Sequence, residues 1–511
     1  MKHDLNKLVL AAGLSLSLTC SITAQNPIAH RAKHQRYKLV DIGTFGGPQG
    51  FVNPEGNGGP YINHRGVVVG QTQNTTPLSP TANGFLCFPG PNVNHAFKHV
   101  QGRTVDLGAL EPSDQNCSDA LGINNRGEIV GQSSSSIIDP LLGTDEIRAV
   151  IWINGKIHDL GTFGGNEASA WSINNRGQVA GFALNDIPDP FSIFGAFFNG
   201  SSNSTQTRAF LWENGKMKDL GTLGGPDAMA FPGNINERGQ VPGASYTNNI
   251  PGPPFGLPTL HPFLWDGKKM IDMGSLGGDF GFVTALNNRG EAVGLDLLAD
   301  DVTQHPFLWS NGVMHDLGTL GGTIGEADAV NDRGEVVGSA YFLGDAVRHA
   351  LLWRNGKMKD LGVLPGDICS AAWSINSQGQ VVGNSGQCGF GGRSFIWENG
   401  EIANLNDLVT PRSDVVLNDV SIIADNGEIA VNGLPPGCDD GDVCGHPYLL
   451  VPIGDCDDEL SAKITAQQMM SSVGIQGTQS RPTARVDPIQ TAFDRFRRAM
   501  RHDPQGARHT D

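Results

Sequence analysis

Basic residues are scarce in this chain. Its 35 lysines and arginines stand against 52 aspartates and glutamates, a formal net charge of −17 over 511 residues. Nucleic acid and anionic membrane surfaces are therefore poor partners. Charge of either sign is low, at 17%, which argues against long solvent-facing helices. Beyond the N-terminus no apolar run approaches the roughly 20 residues of a membrane-spanning helix, so the mature chain is expected to have no integral membrane segment. No cysteines show the C-x-x-C spacing of a zinc site. The Gly-Gly pairs, such as Gly224-Gly225, lie in a repeated strand connection and open no helix, so they are not a phosphate cradle. No unrepeated cluster of acid, base and nucleophile is visible, and no cofactor is implied. What the chain does have is glycine (69 residues) and proline (30), the composition of many short strands joined by turns.

Lys2 and Lys7 precede an apolar stretch from Leu8 to Leu18, and Ile22-Thr23-Ala24 places a small residue before Gln25. This pattern predicts a signal peptide over residues 1–24, cleaved after Ala24, and a secreted, extracellular or periplasmic protein. Lipidation at Cys20 is the competing reading, but Ser17-Leu18-Thr19 departs from the residues that precede a lipidated cysteine. Cleavage removes Lys2, Lys7 and Asp4 (+2 −1 = +1), so the mature chain carries −18. Export permits disulfides, and proximity pairs Cys87 with Cys117, Cys369 with Cys388 and Cys438 with Cys444, leaving Cys456 odd.

Three phrases recur in fixed order between residues 37 and 451. The first contains Asp-Leu-Gly or a variant, at Asp41, Asp106, Asp159, Asp219, Asp272, Asp316 and Asp360, with Asn404 in the eighth copy. The second runs from an apolar-Asn turn into Val-Val-Gly, as in Ile123-Asn124-Asn125-Arg126-Gly127-Glu128-Ile129-Val130-Gly131. The third is Arg208-Ala209-Phe210-Leu211-Trp212 and its relatives. Each unit yields four strand candidates, which we name the Asn, Val-Val-Gly, basic and Asp strands. Asn-Gly pairs such as Asn355-Gly356 join the basic strand to the next Asp strand, a strong hairpin signal because both residues tolerate positive φ.

Successive Asp positions are 65, 53, 60, 53, 44, 44 and 44 residues apart. Four short antiparallel strands in about 44 residues make a propeller blade. The expected fold is all-β: an eight-bladed β-propeller of four-stranded blades over residues 37–452. The chain enters in an Asp strand and leaves in a basic strand, so the N-terminal strand should join the last blade and close the ring. Residues 25–36 and 453–485 read as linkers, the second one disordered. Residues 486–502 read as an amphipathic tail helix, with Ile489, Phe493 and Phe496 on one side, and residues 503–511 as a disordered tail.

The Asp-Leu-Gly-Thr-Leu-Gly-Gly, Ile-Asn-Asn-Arg-Gly and His-Ala-Phe-Leu-Trp-like phrases resemble the HAF-type repeats of predicted extracellular bacterial proteins. The resemblance implies secretion and a repeat scaffold; it brings no catalytic residues.

From the Phe column of the third phrase to the following Asp column the offset is always nine residues, as in 97 to 106, 307 to 316 and 351 to 360. A two-residue loop then sets Leu351 opposite Asp360, with His349 diagonally beside the same carboxylate. Structural pairs are expected at His95 and Asp106, His305 and Asp316, and His349 and Asp360, and across the ring closure at His446 and Asp41. Arg393 with Asn404 would be a pair that has lost one charge. A ring of catalytic dyads or metal ligands is the competing reading, but arginine replaces histidine freely at this position, as at Arg148 and Arg208. The Trp column, Trp152 to Trp397, reads as blade-to-blade packing.

Length variation falls on one end of the blades. Connections 71–94, 132–147, 182–207 and 244–260 are long; 295–304, 339–348 and 384–392 are short. The long ones carry Phe85, Phe88, Phe191, Phe194, Phe197, Phe198, Tyr246 and Phe255, candidates for ligand binding on a loop face. A fold-back of these rings into a local core is the alternative. Asp439, Asp440 and Asp442 form a weak calcium candidate without the twelve-residue loop spacing. The functional expectation is a non-enzymatic secreted scaffold that binds an extracellular protein or polysaccharide through that face. An exported hydrolase or lyase with a site at the central opening, and a purely structural surface component, are the alternatives.

Overall fold

The computed structural model describes residues 34–454, apart from 53–58, 88–89, 200–203, 231–232, 254 and 389–391. The expected signal peptide and tail helix, together with Phe88 and Cys456, lie outside the described residues. The chain is all-β. Its described strands fall into eight groups of four, three of which are joined edge to edge by single parallel pairings, Leu260 with Phe280 and Gln304 with Ile324.

One group shows the plan of all: Cys369–Ile375, Val381–Gly386, Arg393–Glu398 and Glu401–Asn404, the Asn, Val-Val-Gly, basic and Asp strands in chain order, each antiparallel to the next. The last group draws on both ends of the repeat region. Val416–Ile423, Ile429–Leu434 and His446–Pro452 are completed by Tyr37–Asp41, with Leu39 opposite Leu450 and Asp41 opposite Tyr448. The offset of nine is the hairpin register: Phe97 pairs with Asp106, Phe307 with Asp316 and Leu351 with Asp360. Both residues of the joining loop, such as Asn355 (φ 54°) and Gly356 (φ 73°), take the left-handed conformation that a two-residue hairpin requires.

The second phrase clasps neighbouring sheets. Asn124 Oδ1 accepts the N–H groups of Arg126 and Glu128 and so builds its own tight turn, while Asn124 Nδ2 donates to the Asn174 carbonyl in the next sheet. The step repeats from Asn63 to Asn124, Asn174 to Asn236, Asn236 to Asn287, Asn287 to Asn331, Asn331 to Asn376 and Asn376 to Ala424. These buried amides are satisfied on both sides, so each links a local turn to a sheet 44 to 62 residues away. The final sheet meets the first through Asn432, whose Oδ1 accepts from the Val52 N–H and whose Nδ2 donates to the Val52 carbonyl. Ala430 and Leu449 share an apolar cluster with Val52, Val69 and Phe97.

Disulfides join Cys87–Cys117, Cys369–Cys388 and Cys438–Cys444. No helix among the described residues is long and apolar enough to cross a membrane.

Candidate functional site

The repeated acid–base column is built first by a turn. Each Asp accepts the N–H of the glycine two residues on, Asp106 from Gly108, Asp316 from Gly318 and Asp360 from Gly362, at 2.7 Å. These glycines have positive φ, 70° at Gly318, so Asp-Leu-Gly is a side-chain-capped turn. The same carboxylate then receives its diagonal neighbour: His95 Nδ1 is 2.9 Å from Asp106, His305 Nδ1 2.9 Å from Asp316, His349 Nδ1 2.9 Å from Asp360, and Arg208 Nε 3.0 Å from Asp219. His446 Nδ1 lies 3.6 Å from Asp41, an ion-pair distance beyond hydrogen-bond length. Burial pushes the Asp106 and Asp360 carboxyls up, but the histidine and the glycine N–H outweigh it and hold both below the usual range. Each Asp is thus held by a turn with a histidine or arginine beside it, and the half-exposed carboxylates add little stability apiece. Arg393 and Asn404 do not pair. The Arg393 guanidinium reaches Asp367 at 2.9 Å and the Pro365 carbonyl at 2.9 Å, while Asn404 Oδ1 accepts the Asn406 N–H and caps the short helix Leu405–Leu408. Without a charge, Asn404 attracts no cation, and a helix takes its acceptor.

Asp440 is occupied in the same manner. Its carboxylate accepts the Asp442 N–H and caps the turn Gly441–Cys444. Among the described residues no group of three His, Cys, Asp or Glu side chains could hold a metal ion.

The long connections are mostly strand. Val68–Pro77, Ile129–Ile138, Val179–Pro188 and Val241–Gly252 extend well past their short counterparts, such as Val381–Gly386. All four share one device. Pairing with the basic strand breaks after Gln73, Ser134, Leu184 and Tyr246, then resumes at Pro77, Ile138, Pro188 and Pro251. In each break a polar side chain accepts the N–H two residues on: Asn74 from Thr76, Ser135 from Ile137, Asn185 from Ile187 and Asn248 from Ile250. The turn pushes the next side chain outward. Ile137, Ile187 and Ile250 are 57%, 51% and 71% exposed at equivalent places on three successive sheets, with Ile138 and Leu141 also exposed beside the first. Between the second and third of these hairpins lies a pocket of about 310 Å³, lined by Asp139, Leu141, Leu142, Asn166, Leu184, Asp186, Pro188, Phe194, Ser204 and Thr205 among others.

The aromatic candidates lie beneath this surface. Phe194, Phe198 and Tyr246 are buried in one cluster with Trp171, Phe182 and Phe280, and Phe85, Phe191 and Phe255 are partly buried against it. Ring centroids are 5.1 Å apart for Phe85 and Phe198, 5.4 Å for Phe194 and Phe198, and 4.9 Å for Phe255 and Phe280. The Tyr246 hydroxyl donates to the Phe191 carbonyl. These six side chains are a local core, which corrects their reading as surface anchors: apolar rings on long loops lose more by facing water than by folding back. Phe197 has no described side chain. The isoleucine row that sequence reasoning missed had a signal in Asn185-Asp186-Ile187-Pro188 and Asn248-Asn249-Ile250-Pro251, a small repeat inside the long connections.

No protein-family model and no curated sequence matches the chain. Among solved structures it is similar to a putative TolB from Agrobacterium tumefaciens (TM-score 0.27, 12% identity, covering 48% of this chain and 87% of that one). It is also similar to a gluconolactonase from Xanthomonas campestris (0.27, 11%, 74% and 99%) and to a polysaccharide lyase, an ulvan lyase (0.35, 9%, 84% and 99%). Scores and identities this low carry no inference about activity.

Proposed function

We propose that the eight sheets are the blades of one closed propeller of HAF-type repeats, and that the protein is an exported, non-enzymatic scaffold that binds an extracellular protein through its elaborated face. Closure is supported by the Tyr37–Asp41 strand beside His446–Pro452 and by the Asn432 contacts to Val52. Export is supported by the three disulfides, which persist in oxidising compartments.

The row of exposed isoleucines carries the binding reading. A structural surface has no use for the same outward apolar side chain on three neighbouring hairpins, each fixed by its own capped turn, and aligned exposed apolar groups mark interaction surfaces. The chemistry favours protein over polysaccharide, because the aromatic rings that could stack on a sugar are packed inside while aliphatic ones face solvent.

The mature chain should capture a protein from the extracellular fraction of its source. Once that partner is purified, the triple substitution Ile137→Asp, Ile187→Asp, Ile250→Asp should weaken its binding at least about tenfold, since an apolar side chain buried at an interface is worth on the order of 1–2 kcal/mol. All three sites face water in the free protein, so the thermal midpoint should stay unchanged. Unchanged binding would sink the reading; turnover of a glycan or peptide by the mature chain would favour the enzyme alternative.

A further inference from the structure

Each elaborated hairpin reaches the neighbouring sheet at one equivalent position, the residue just before the Asn strand becomes regular. Once the register is corrected for the bulges, Ser118, Ala168, Ala228 and Gly281 occupy the same rung, opposite Ser133, Ala183, Ser245 and Asp296. The residue before each is Cys117, Glu167, Asp227 and Phe280, and each of these touches the long connection of the preceding unit. Cys117 is bonded to Cys87, and Phe280 stacks edge-on against Phe255. The two central positions use carboxyl pairs instead. Glu167 lies within side-chain hydrogen-bond reach of Asp139, and Asp227 within reach of Asp189.

The two carboxyl pairs share one construction. One oxygen of the inner acid accepts a backbone N–H from the hairpin, Glu167 Oε2 from Ile147 and Asp227 Oδ2 from Ile193, each at 2.6 Å. The outer acid folds its own loop: Asp139 accepts from the Leu141 N–H and the Asn166 amide, and Asp189 from the Phe191 N–H. All four carboxyls are buried, and Glu167 Oε1, Asp227 Oδ1 and Asp189 Oδ2 have no hydrogen-bond partner among the described residues unless the pair holds a proton. A carboxyl–carboxyl contact in a buried place is attractive only with a proton in it; with both groups ionised it is a like-charge pair in low dielectric.

We propose that Asp139–Glu167 and Asp189–Asp227 are proton-operated clasps that hold the second and third elaborated hairpins closed and release them when the shared protons leave. The charged surroundings agree. Glu167 is faced by Asp139 and Glu146, the latter tied to Arg148. Asp227 is faced by Asp189 and by the Tyr246 phenol, with the Arg208 guanidinium engaged by Asp219 and the Pro226 carbonyl. Burial first, and the partner acid with it, pushes Glu167 and Asp227 well above the carboxylate range. A raised folded-state pKa means that the clasp is complete below the unfolded-state pKa, about 4, and is lost as pH rises through the raised value. Release would free the 139–144 and 189–196 segments, which line the pocket and carry the base of the isoleucine row. The clasps thus regulate the face proposed above for binding, but they can be tested without any partner.

The test is hydrogen–deuterium exchange of the full mature chain at pH 5 and pH 9, corrected for intrinsic rates and read by mass spectrometry. Protection of 139–147 and 189–196 should fall at least about tenfold at pH 9, a loss of about 1.4 kcal/mol of local stability. The 83–87 segment, held by Cys87–Cys117, should change little. In Glu167→Gln with Asp227→Asn the amides can donate to Asp139 and Asp189 without a shared proton, so protection should become independent of pH; Asp139→Asn with Asp189→Asn tests the same point from the outer side. Exchange that does not change with pH in the native chain, or pH dependence that survives in both double variants, would overturn the proposal. So would restoration of protection at pH 9 by millimolar calcium, which would make the pairs cation sites. A failed isoleucine test would leave these results standing, and the reverse holds too.

Discussion

A chain that begins at Gly43, lacking Tyr37–Asp41, is expected to unfold at least about 5 °C below a chain that begins at His34, or to aggregate on expression. The strand supplies five rungs of ladder to His446–Pro452. Tyr37 is fully buried among Val409, Leu417, Tyr448 and Leu450, and its carbonyl accepts the Thr410 N–H. Removing a buried aromatic side chain alone costs about 3–5 kcal/mol. The deletion also bares the edge of His446–Pro452, a template for pairing with another chain. The Asp41–His446 contact contributes little, because Asp41 is half exposed. Differential scanning calorimetry of the two chains measures the effect, and equal midpoints would mean that the last sheet does not depend on its N-terminal strand.

The second large effect is on stability against pH. Asp296 is fully buried; one oxygen accepts the Leu276 N–H and the other has no partner among the described residues. Burial, with a small addition from Asp301, pushes its carboxyl up to about 8. Asp119, equally buried, is pushed up to about 7 by the loss of solvent. Both groups have raised folded-state pKa values, so their contribution is full below about pH 4 and is lost progressively toward pH 7 to 8. The chain should therefore be more stable near pH 5 than at pH 9, by on the order of a few kcal/mol. Other units show how to reduce the slope. Ser133, Ser245 and Ser385 stand where Asp296 does and accept the equivalent N–H, from Leu110, Leu223 and Leu364. Asp296→Ser with Asp119→Asn should keep the packing and lessen the fall in thermal midpoint between pH 5 and 9. A native chain whose midpoint rises over that range would contradict these environments.

The fold was legible where geometry is local. Asn355-Gly356 fixes a two-residue loop, and the loop fixes which residues face each other, so the nine-residue offset was enough to set Leu351 against Asp360. The disulfide partners were legible from proximity for the same reason. What escaped depends on partners far along the chain. Nothing near Asn174 marks the Asn236 carbonyl as its acceptor, so the sequence showed a turn there but not the clasp between sheets. The role of Asp316 was read half correctly: its histidine was found, while the turn to Gly318, visible as a glycine two residues on in all seven Asp copies, was not. At the candidate site the error was of burial. Phe194, Phe198 and Tyr246 carry large aromatic rings, which recommended them as anchors and is also why they fold inward. The surface left outside is aliphatic, at Ile137, Ile187 and Ile250, positions that look unremarkable until three bulged hairpins are superposed.

Ring closure by the two ends of the repeat region is tested most directly by a cross-link. In a Cys456→Ser background, Leu39→Cys with Leu450→Cys places two thiols on directly opposed residues of the last sheet, within the span a disulfide accepts. Peptide mapping of the oxidised mature chain should find the 39–450 bond in most molecules, together with the three native disulfides. Native disulfides intact with no 39–450 bond would contradict the closed ring.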